Sequence, residues 1–129
     1  MENISTSRNI EIQVATTFES EFSKPELPSF IFSYKITIKN NNNFPVQILN
    51  REWIITDSNG EVLVVRGVGV VGLTPIIEAN GSFEYTSNVN LKSAIGKMQG
   101  NYGVKNINNS TEFIAPIPEF KLEAEFILN

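Results

Sequence analysis

Apolar side chains in the first half of the chain recur at every second position. Ile10, Ile12, Val14, Thr16 and Phe18 alternate with Glu11, Gln13, Ala15, Thr17 and Glu19, the period of a strand with one buried face. Beyond a loop holding Pro25 and Pro28 the alternation strengthens: Phe30, Phe32, Tyr34, Ile36 and Ile38 stand against Ile31, Ser33, Lys35, Thr37 and Lys39. The asparagines at 40–43 follow. Their side chains tolerate left-handed backbone and hydrogen-bond locally, so a hairpin turn is expected to lead into a strand over residues 46–56. Within that strand the apolar parity moves from Val46 and Ile48 to Trp53 and Ile55, which predicts a bulge at residues 49–51.

Asn59-Gly60 has the composition of a tight hairpin turn, with residues 61–66 as the return strand. Asn80-Gly81 precedes a further alternating run in which Phe83, Tyr85, Ser87 and Val89 share a face. Met98, Gly100, Tyr102 and Val104 follow the same rule, as do two last segments at 111–115 and 119–126, the second with Phe120, Leu122, Ala124 and Phe126 in one row. The count is about eight short strands at hairpin spacing. Every window of helical periodicity is broken by proline or glycine, so helix is expected in less than about a tenth of the residues. One-sided strands without covalent staples bury their apolar rows most simply between two sheets: an all-β sandwich, with a barrel as the second choice. Trp53 is expected to anchor its core.

Composition changes this picture mainly by exclusion. At 129 residues the chain fits a single domain spanning 1–129, and 41% hydrophobic with 19% charged residues is a globular composition. The net charge of −4, with 10 Lys and Arg scattered along the chain, argues against nucleic acid and anionic membrane as partners. The absence of cysteine and of a signal-like apolar segment makes the cytoplasm the expected compartment. The sequons at Asn80 and Asn108 are read as chance matches.

With neither histidine nor cysteine, the usual nucleophile–base pairs and zinc sites cannot be assembled. No catalytic, cofactor-binding or metal-ligating residue is assigned, and no enzyme activity is expected. Lys92 and Ser93, as strand neighbours, would point to opposite faces rather than form a dyad. Asp57, the only aspartate, sits in a Thr-Asp-Ser-Asn-Gly stretch and is read as a turn former.

One stretch demands a decision. RGVGVVG, residues 66–72, carries the G-x-G-x-x-G spacing of a dinucleotide-binding loop. That loop needs a helix opening near its second glycine, and here Val68, Val70, Val71 and Pro75 oppose one. The glycines are expected to let a valine-rich segment bulge or approach other backbone closely. The alternative is an anion nest, in which Arg66, Gly67, Gly69 and Gly72 bind a small phosphate-type ligand, pyrophosphate or nucleotide through backbone N–H groups. Arg51 is a further candidate, because the bulge could re-aim it to the surface beside these glycines. Tyr102 is open between packing and rim.

RGVGVVGLTP, followed by FEYTS and then GKMQGNY, resembles the ApaG family, and the likeness extends to FPVQILNREWIITDSNG and FIAPIPEFKL. The resemblance implies an immunoglobulin-like or fibronectin-III-like β-sandwich, in agreement with the alternating rows. It implies no reaction; bacterial members are linked to cobalt resistance and magnesium efflux, and related domains look like interaction modules. The expected role is therefore a non-enzymatic module with a protein partner, a second copy of the chain being one such partner. Two positions depart from the family pattern: Val68, where Glu is frequent, and Thr74, where Gln is frequent.

Overall fold

In the computed structural model, which describes residues 2–124, the alternating rows face one another across two antiparallel sheets. The strands in chain order are β1 (Glu2–Ser7), β2 (Ile10–Phe18), β3 (Phe30–Asn40), β4 (Val46–Asp57), β5 (Val62–Val68), β6 (Ile76–Ile77), β7 (Ser82–Leu91), β8 (Ile95–Asn106) and β9 (Glu112–Glu123). The first sheet runs β1-β2-β3-β7; the second runs β5-β4-β8-β9, with β6 on β4 beyond the end of β5. No helix occurs among the described residues. The architecture is an immunoglobulin-like, fibronectin-III-like β-sandwich.

Parity explains the core. Ile12, Val14, Phe32, Ile36 and Ile38 project from the first sheet onto Ile48, Met98, Tyr102, Val104, Phe120 and Leu122 of the second. Trp53, as expected, is buried, with its ring 5.4 Å from that of Tyr34 across the sandwich and 5.9 Å from Phe120 beside it. Such edge-on aromatic packing adds to the burial term. The parity change in β4 is a bulge: Ile48 lies opposite Val104 and Asn50 opposite Gly103, leaving Leu49 as the extra residue.

Four features differ from the sequence expectation. The strand β1 was not foreseen, because its only apolar residue after Met1 is Ile4; it is held to β2 through a tight turn in which Arg8 and Asn9 both take positive φ. The asparagine run is not a hairpin. It carries the chain from β3 in the first sheet to β4 in the second, and none of residues 41–43 is left-handed. Its side chains do the holding instead: the fully buried Asn40 amide donates to Phe44 O at 2.8 Å and Ile77 O at 3.1 Å, and its Oδ1 accepts from Asn42 N.

The connection at Asn59-Gly60 is longer than a two-residue turn. Asp57 N donates to Glu61 O across a three-residue loop whose last member, Gly60, has φ +95°. Finally, the two segments expected at 111–115 and 119–126 are one strand, β9, which absorbs Pro116 and Pro118 because it is an edge strand. Phe126, expected in the same row, lies outside the described residues.

Candidate functional site

The glycine stretch occupies one margin of the second sheet. The chain leaves β5 at Val68, turns back through a two-residue loop, and rejoins β4 by way of Pro75 and β6. Val70 and Leu73 exchange backbone hydrogen bonds at 2.8 and 2.9 Å around Val71 and Gly72, whose φ values are +43° and +78°. Positive φ at both central residues defines a primed hairpin turn. For Val71, a β-branched side chain, this is a strained conformation.

Gly69 is required twice over. Its φ is +62°, and a Cβ built there would collide with the carbonyl of Leu73. Its N–H donates to Leu49 O at 2.8 Å, so the bulge residue of β4 anchors the base of the hairpin. Gly67 serves a different purpose: its missing side chain leaves the space filled by the Arg51 guanidinium, with Nη1 2.7 Å from where a Cβ would stand. Arg51 Nη1 donates to Val68 O at 3.1 Å and Gly69 O at 3.0 Å. Arg51 thus does lie beside the glycines, but through its direct cross-strand pairing with Gly67 in an unbroken β4–β5 register, half-buried on the face of Trp53 rather than re-aimed to the surface by the bulge.

The four sequence-derived ligand candidates are thus not one pocket. Arg66 turns away to Glu52, Nε to Oε2 2.6 Å, on the outer face of the sheet. Gly67 and Gly69 line the Arg51 clasp, and Gly72 lies at the hairpin tip. The N–H groups of Gly69, Val70 and Leu73 are donated within the fold.

Beneath this margin, Tyr102 of β8 is fully buried, and its hydroxyl meets that of the half-buried Tyr85 from β7 in a short hydrogen bond across the sandwich. Tyr102 is thus a packing residue. Burial pushes the phenol of Tyr85 well above its ordinary value, with the Tyr102 hydroxyl and Arg51 opposing; burial likewise raises Tyr102 and Tyr34.

Residues 20–106 match the ApaG domain family. The chain belongs to the ApaG family. It is 49% identical to Protein ApaG of Dechloromonas aromatica over 113 residues, 88% of each chain, and 44% identical to Protein ApaG of Vibrio vulnificus over 120 residues, 93% of this chain and 94% of the relative. Among solved structures, the ApaA protein from Bordetella pertussis superposes with a TM-score of 0.85 at 38% identity, covering 88% of this chain and 92% of that one. The C-terminal domain of wzt, at 8% identity and a TM-score of 0.54 over 95% of this chain and 77% of that one, shares the fold alone.

Against the ApaG pattern, both departures fall on exposed positions: Val68 on the outer face of β5, and Thr74 at the foot of the hairpin. Away from the glycines, Asp57 is more than a turn former. It is buried, and its carboxylate accepts from Lys92 N at 2.7 Å and from the Ser93 hydroxyl, tying the β4–β5 turn to the β7–β8 turn. Lys92 Nζ pairs with Glu61 at 3.3 Å rather than with Ser93.

What sequence reasoning missed is the aliphatic surface around the hairpin. Val62, Leu63 and Val64 of β5 are all exposed, together with Val68, Val71, Leu73 and Ile76. The signal was the unbroken VLVV at 62–65, which abandons alternation; at a sheet edge it marks exposure on both faces rather than burial on both.

Proposed function

We propose that this ApaG-family chain is a non-enzymatic interaction module whose contact surface is the β5 margin with its glycine hairpin, offered to a protein partner. The observation that carries this reading is the set of exposed aliphatic side chains Val62, Leu63, Val64, Val68, Val71 and Leu73 at a sheet edge that no other strand covers among the described residues, since an uncovered edge and exposed apolar side chains together suit contact with another chain. The strained Val71 at the hairpin tip supports it: an asparagine or glycine would suit that turn better, so a valine there is kept for what it touches. The link of the family to cobalt and magnesium then runs through the partner. A phosphate-type anion is the weaker reading, because the N–H groups of Gly69, Val70 and Leu73 and the Arg66 guanidinium already have partners in the fold.

Affinity capture from cell lysate, with wild type beside Leu73→Glu, tests the reading, and a thermal-shift titration with pyrophosphate runs in parallel. The expected result is a stoichiometric partner lost in Leu73→Glu and no pyrophosphate shift. Unchanged capture by the variant, with a saturable pyrophosphate shift, would favour the anion site instead.

A further inference from the structure

The hydrogen-bond phase of β5 determines what its open edge can hold. Asp57 N donates to Glu61 O, and Gly69 N to Leu49 O, so the odd-numbered residues of this strand direct their main-chain groups toward β4. Val62, Val64 and Arg66 therefore direct N–H and C=O outward, to the side where β5 has no neighbouring strand among the described residues. An open ladder of this kind is completed by another extended strand.

Charge identifies the strand. Arg51 is half-buried and, among the described residues, makes no ion pair; the carboxylates near the margin are taken, Glu52 by Arg66 and Glu61 by Lys92. Its guanidinium lies over Gly67, on the face shared by residues 61, 63, 65 and 67. A closed two-fold pair of antiparallel β5 strands must place a residue opposite itself. With Val64 on the axis, Leu63 faces Val65 of the second copy, Val62 faces Arg66, and Glu61 faces Gly67, where the Arg51 guanidinium of that copy waits.

No like charges oppose each other in this register, and each guanidinium gains a carboxylate. Moving the axis to Leu63 or Val65 sets Glu61 against Val65 or Gly69 and loses the pair. Exchanging the exposed Glu61–Lys92 contact, 59% and 63% accessible, costs little.

We propose that the partner at the β5 margin is a second copy of the chain, paired antiparallel through β5 about a two-fold axis at Val64, with Glu61 of each copy on Arg51 of the other. This rests on the reading of that margin as an interaction surface.

Sedimentation velocity over about 5 to 500 μM, which brackets micromolar dissociation constants, tests it. Wild type is expected to shift from monomer to dimer, and Val64→Lys, which sets two ammonium groups on the axis, to stay monomeric with an unchanged far-ultraviolet spectrum. Glu61→Arg should weaken the dimer severalfold, more at low salt than at high. The chain has no cysteine, so Val64→Cys gives a unique thiol. A short dimaleimide should link it to its twin, while Ile114→Cys on β9 stays unlinked.

A wild type that remains monomeric throughout overturns the second copy; if Val64→Lys nevertheless loses a captured lysate protein, the margin still stands as an interaction surface with a different occupant. A dimer untouched by Val64→Lys overturns both the pairing and its place.

Discussion

At one edge of the second sheet, β9 carries Pro116 and Pro118, alternates charged residues outward at Glu119, Lys121 and Glu123, and lies beside β1, whose Ser5 hydroxyl donates to Pro116 O at 2.8 Å. At the other edge, β5 offers Val62, Leu63 and Val64 to solvent, with no proline in it and no covering strand among the described residues. Prolines, outward charges and a covering element are the devices that stop sheet edges from recruiting further strands. The same sheet thus uses all three on one side, whereas the other carries only the outward charge of Arg66, paired to Glu52. This asymmetry between the two edges is the structural basis of the proposal that the β5 margin is a contact surface.

The largest effect that sharpens this comparison comes from moving a proline to β5. At Val65, whose N–H faces β4, proline should cost about 3 kcal/mol or more; at Val64, whose N–H faces outward, less than about 1 kcal/mol. Urea midpoints for the two variants measure the difference. Equal losses would break the assigned phase of the strand. Next in size, Gly69→Ala should destabilise by roughly 2–3 kcal/mol, since positive φ and the Leu73 carbonyl both oppose a Cβ. A variant that melted like wild type would show that the hairpin is not seated on β4 as described.

A third effect is set by pH. Burial raises the phenols of Tyr34, Tyr85 and Tyr102 above the ordinary 10.0, so the folded state holds these protons more tightly than the unfolded chain does. Their contribution is complete below the ordinary value and is lost as pH rises above it toward the folded values. Denaturation midpoints should fall progressively above about pH 10, and Tyr85→Phe should flatten the fall. A flat profile in wild type would contradict the buried pair that closes the sandwich under the hairpin.

The smallest effect is at the tip. Val71→Asn relieves a left-handed β-branched residue and should stabilise by about 1 kcal/mol. If Val71 is kept for contact, the same change should weaken partner binding. A gain in melting temperature with undiminished binding would detach the hairpin tip from the contact surface.

Much of this was legible in the sequence, and for identifiable reasons. Ile12, Phe32, Ile36 and Trp53 declared the sandwich because burial on one face enforces period two. The bulge at Leu49 showed as a parity change, whereas the meeting of Arg51 with Gly67 depends on the β4–β5 register, which parity alone does not set. Composition could not reveal β1, which is held by its turn and its neighbour rather than by apolar side chains. Nor could it separate a hairpin from a crossing between sheets at residues 40–43, because the deciding contact is the buried Asn40 amide on Phe44 and Ile77. The division of the glycine motif was equally hidden: Arg66 lies beside Gly67 in sequence, yet strand alternation sends it to Glu52 on the other face.

Amide hydrogen exchange along β5, followed by NMR as protein concentration is raised, tests the open edge most directly. The expected result is alternation in dilute solution, with Leu63, Val65 and Gly67 protected by β4 and Val62, Val64 and Arg66 exchanging fast, the latter three gaining protection as the chain associates. Uniform protection along the strand, or outward amides indifferent to concentration, would contradict an edge held open for a second strand.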